Sequence, residues 1–177
     1  MGAPKGFSDR VERWLAKIPG VRTYRDREHR RETDKHLREL VAARILEARS
    51  GLARTTLEMS KKGELGPLVG LDRLSSRMQQ MADTIRYASY GYAGIFDSEK
   101  IREEELDRLY TFDLSLMDDL EGIQSKVVEL SPQNPPEKLN PAIEEVGHLL
   151  DGLEKKFRQR NDFMTRPAGD RDRTQAG

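Results

Sequence analysis

The chain has 177 residues, of which 36% are hydrophobic and 35% charged, with a mean hydropathy of −0.78. Its length bounds it to a single domain, and so much charge excludes a β-sandwich or a doubly wound sheet in favour of thin helices with one solvated face. Lys plus Arg and Asp plus Glu are equal at 31 each, so no global field draws nucleic acid or an anionic bilayer, and the lack of cysteine excludes disulfides and thiolate zinc sites.

At the start, MGAPKGFSDR has no apolar signal core. No run in the chain approaches the ~20 apolar residues of a membrane span, which sets the expectation of a soluble, cytoplasmic protein. Ser8 reads as an N-cap for a short amphipathic helix that carries Val11, Trp14, Leu15 and Ile18 and ends at Pro19-Gly20. A much longer helix is expected from about Asp26. Its first turns, DREHRRETDKH, are nearly all charge and should overhang or lie on the surface; the apolar seam of Leu37, Val41, Ile45, Ala48, Leu52 and Met59 begins after them. Lys61-Lys62-Gly63 supplies the stop, with cations at the negative end of the dipole and Gly at the C′ position.

Pro67 restarts the chain. Leu71, Leu74, Met78, Met81, Ile85 and Ala88 then alternate three- and four-residue steps, the spacing of knobs-into-holes packing. The next stretch, YASYGYAGIFD, combines three tyrosines, two glycines and Ile95-Phe96, and reads as an ordered apolar turn. The three-four rhythm returns in Leu106, Leu109, Asp113, Leu116, Leu120, Ile123, Val127 and Leu130, and again in Ile143, Val146, Leu150, Leu153, Phe157, Arg160 and Met164. Between these two runs SPQNPPEKLNP reads as a non-helical connection, with Pro141 as the first residue of the last helix. The chain therefore reads as an all-α, antiparallel, up-down-up-down four-helix bundle with a short N-terminal amphipathic helix, a single domain over residues 1–165 and a disordered tail over 166–177.

Two polar residues interrupt otherwise apolar seams. Counting along antiparallel helices places Asp113 opposite residues 158–160, so Asp113 is expected to form a structural ion pair that fixes register, with Arg160 or Arg158 first and Arg77 as the fallback partner. Glu145-x-x-His148 has the spacing of a carboxylate-histidine metal helix, but the other such pair, Asp26-x-x-His29, falls at the opposite end; no metal and no cofactor is expected. Acids interleave with the basic residues between Arg22 and Arg38, which argues against nucleic acid. Neither a nucleophile with an identifiable histidine partner nor a glycine-rich phosphate loop is present, so no enzymatic activity is expected.

The segments IPGVRTYRDREHRRETDKHLRE (18–39) and IRYASYGYAGIFDSEKI (85–101) resemble an uncharacterised bacterial helical family. Its pattern is an Ile-Pro-Gly-Tyr turn, a Glu-x-Arg-Arg-x-x-Asp-Lys run and a Tyr-Gly-Tyr-Ala-Gly turn; Val21 stands here in place of the tyrosine. The resemblance covers about a quarter of the chain and implies company with flotillin-like and phage-shock-protein-A-like membrane-maintenance proteins. It brings no activity with it.

These readings converge on a non-enzymatic adaptor or assembly subunit that binds a protein partner or a second copy of itself. The expected contact residues are Tyr90, Tyr92, Ile95, Phe96, Arg30, Arg31, Asp34 and Lys35, since aromatics flanked by arginines are the usual anchors of interfaces. Two alternatives stand beside it. In one, Trp14, Leu15 and Ile18 hold the protein at a membrane surface, peripheral to the inner membrane. In the other, the bundle binds metal through carboxylates and histidine.

Overall fold

The computed structural model describes residues 27–88 and 103–165. These form four helices: α1 (Arg27–Lys61), α2 (Leu68–Arg86), α3 (Glu103–Glu129) and α4 (Pro136–Thr165). There is no strand among the described residues. The amphipathic segment expected over residues 8–18, the tyrosine-glycine turn from Ser89 onward and the tail after Thr165 lie outside them.

Each helix buries the stripe that its apolar spacing marks out. On α1 this is Leu37, Val41, Ile45, Ala48, Leu52 and Met59; on α2 Leu71, Leu74, Met78, Met81 and Ile85; on α3 Leu109, Leu116, Leu120, Ile123 and Val127; on α4 Ile143, Val146, Leu150, Leu153, Phe157 and Met164. Side chains three and four apart share one helix face, so these runs are continuous ridges that interdigitate as in a helical bundle. Fully burying each of the large side chains contributes roughly 1.5–3 kcal/mol.

The chain divides into two compact units, and α1, α3 and α4 supply residues to both. Unit 2 comprises residues 39–88 and 116–156. Its helices come close where a side chain is missing: a Cβ on Gly51 would meet Val127 Cγ1 at 3.3 Å, tighter than ordinary contact. The end of α1 is a Schellman motif, with Glu64 N donating to Met59 O (3.1 Å) and Gly63 N to Ser60 O (3.0 Å). Gly63 has φ of 73°, the left-handed conformation that glycine adopts without a Cβ clash. The end of α3 is closed from outside its own helix. Thr55 Oγ1 donates to the buried Leu130 carbonyl (2.7 Å), Asn134 Nδ2 to Glu129 O (2.8 Å) and Lys62 Nζ to Pro132 O (2.6 Å), satisfying carbonyls the helix cannot.

Of unit 1, residues 27–38, 103–115 and 157–165 are described. Its interior departs from the apolar pattern. Thr33, Asp34, Glu105, Asp113 and Arg160 are all buried there, whereas Thr55 is the one buried polar residue of unit 2 among the described residues.

Three expectations are corrected. The last helix begins at Pro136, and Pro141 lies inside it. Leu139 is fully buried, which anchors the first turn, and a proline so near the N-terminus removes one intrahelical bond without breaking the rest. Next, α2 stops at Arg86, with Tyr87 N bonded to Asp83 O (3.0 Å), so Ala88 lies beyond the helix. The charged start of α1 does not simply overhang, because Thr33 and Asp34 are buried one turn before Leu37.

Candidate functional site

The densest polar arrangement in the described structure is built on Arg160. It occupies a seam position of α4, one turn after Phe157 and one turn before Met164, and none of its side chain reaches solvent. Helix α4 therefore drives a guanidinium to a place where leucine would be ordinary. Asp113, on the seam of α3 between Leu109 and Leu116, accepts from Arg160 Nε at 2.5 Å. Asp34, on α1, accepts from Arg160 Nη1 at 2.8 Å through Oδ1. The other oxygen of Asp34 accepts from Arg38 Nε at 2.9 Å, one turn along the same helix. Met164 Sδ lies against Arg160 Nη1.

Two arginines and two aspartates thus alternate in a chain whose formal charges cancel. Cancellation matters because an uncompensated buried charge costs several kcal/mol, whereas a paired and hydrogen-bonded one roughly breaks even. Alongside, the rings of Phe112 and Phe163 stand 5.9 Å apart, tilted at 43°, a spacing typical of stabilising aromatic pairs. Chemically, such a layer can restrict which faces of three helices meet. A donor fork has directions, so it accepts carboxylates only from particular positions, while leucine seams tolerate sliding by a heptad.

The predicted residues fall in different places. Asp113 and Arg160 are brought together. Arg77, considered as a fallback partner, binds Asp151 and the Gly147 carbonyl (3.1 Å) instead, and Arg158 is exposed. Arg31 and Lys35 are exposed on α1, four residues apart and hence on one face; Arg30 lies in the first turn of the same helix. Asp34, expected as a contact residue beside them, is 1% exposed and is committed to Arg160 and Arg38. It turns inward because it stands three residues before Leu37 and seven before Val41, on the buried stripe of α1. Tyr90, Tyr92, Ile95 and Phe96, and likewise Trp14, Leu15 and Ile18, lie outside the described residues.

Asp34 and Arg38 as layer members, and Thr33 and Glu105 as further buried polar residues of unit 1, are what motif reading missed. Heptad spacing carried backward from Leu37 and Leu109 reaches Thr33, Asp34 and Glu105, but charge-rich surroundings masked it.

Glu145 and His148 do not converge on a common point. Glu145 meets Lys126 at 3.2 Å, and His148 Nδ1 lies 3.9 Å from Asp151. Among the described residues no group of three or more His, Asp and Glu side chains is placed to hold a metal ion. Asp26 lies outside the described residues. No described helix is long and apolar enough to cross a membrane.

Comparison of the chain with protein-family models, with curated proteins and with solved structures gives no match.

Proposed function

We propose that this protein is a non-enzymatic helical bundle that works as an adaptor or assembly subunit, capturing a protein partner through the tyrosine-glycine stretch and the Arg30, Arg31 and Lys35 turns. The observation that carries the reading is Tyr87. It closes α2 at the head of that stretch and is 73% exposed, an aromatic ring left in water immediately before Tyr90, Tyr92, Ile95 and Phe96. Aromatics concentrated in one stretch of sequence are what interfaces use as anchors, with arginine enriched beside them. Arg31 and Lys35 are both exposed, while the buried charges of the same helix are committed internally.

The bundle is proposed to be antiparallel, up-down-up-down. Contacts within unit 2 support this. Residue numbers rise together between α1 and α3 (Glu47 with Gln124, Thr55 with Leu130) and between α2 and α4 (Gly70 beside Ile143, Arg77 with Gly147). Between α3 and α4 they run oppositely, Asp119 meeting Lys156 and Lys126 meeting Glu145. The likeness of residues 18–39 and 85–101 to a bacterial helical family extends the proposal to envelope maintenance, from a cytoplasmic place peripheral to the inner membrane.

The test is cross-linked capture from a bacterial lysate with the intact chain and with Phe96→Ser, alongside sedimentation to detect self-association. Loss of a specific cross-linked species or of the oligomer, with an unchanged Tm, is the result expected of a side chain that serves the partner and not the fold. A variant that unfolds while still capturing the partner would show that the stretch is structural. Flotation of the intact chain with anionic vesicles in the absence of any protein partner would favour the membrane reading.

A further inference from the structure

We draw no further inference here: the strongest candidate, the exposed apolar side chains Leu57, Leu65 and Val69 around the connection of α1 to α2 in unit 2, carries nothing because nothing in the structure shows what covers them.

Discussion

An arginine with none of its side chain in water has to be matched within the protein, and Arg160 is matched by Asp113 and Asp34. Truncating one member leaves its partners buried beside nothing of opposite charge, which is why such single changes are expensive. Arg160→Leu is expected to lower stability by about 3–5 kcal/mol, read from the denaturant midpoint at constant slope. By contrast, Asp34→Leu, Asp113→Leu and Arg160→Met together should cost clearly less than Arg160→Leu alone, because three of the four charges go together and the one that remains, on Arg38, is 14% exposed and reaches water. Thr55→Val is a neutral counterpart. It removes the donor to the buried Leu130 carbonyl and should cost about 1–3 kcal/mol. The sequence disclosed Asp113 and Arg160 because each interrupts a run of apolar seam residues. It concealed Asp34, since a buried aspartate looks like any other in the stretch from Arg27 to Arg38, where charge is the norm and burial depends on a partner more than a hundred residues away.

Helices here are specified by their stripes and delimited by their ends, and the ends respond differently to substitution. Gly63 holds a left-handed φ that closes α1, so Gly63→Ala should destabilise by about 1 kcal/mol. Gly122 and Gly152 sit inside helices with nothing near a would-be Cβ. Their replacement by alanine should therefore raise stability by about 0.5–1 kcal/mol each in thermal unfolding. Lys126 joins α3 to α4 through Glu145 while also bonding Glu129 (3.1 Å). Glu129 first, and then Glu145, hold its ammonium above the ordinary value of 10.5. A folded-state pKa raised above the unfolded one stabilises the protein fully below the unfolded value and loses that contribution as pH rises through the folded value. The stability difference between wild type and Lys126→Gln should accordingly be constant through neutral pH and vanish in strong alkali. Periodicity revealed the seams of all four described helices, since alternating three- and four-residue steps have no other reading at such length. It misplaced the start of α4, because a proline-rich connection argues locally for a break, and only the tertiary burial of Leu139 shows why the helix begins five residues earlier.

Under the proposed function, the described polar interior constrains how the helices pair, while Tyr87, exposed at the end of α2, leads into the stretch proposed to take the partner. A sequence with balanced charge and no motif identifies neither that partner nor any chemistry, because recognition by a surface patch leaves no spacing rule comparable to a heptad. The central claim is that the Asp34–Arg160–Asp113 layer serves structure and that function lies on the outer surface. Its most direct test is cross-linked partner capture by the combined variant Asp34→Leu, Asp113→Leu, Arg160→Met, with folding verified by circular dichroism and Tm. The account predicts a folded protein that captures the same species as wild type to within about twofold, because exposed contacts are untouched. A variant with full helicity and an unchanged or raised Tm that no longer captures its partner would contradict it and place the buried charges in the function itself.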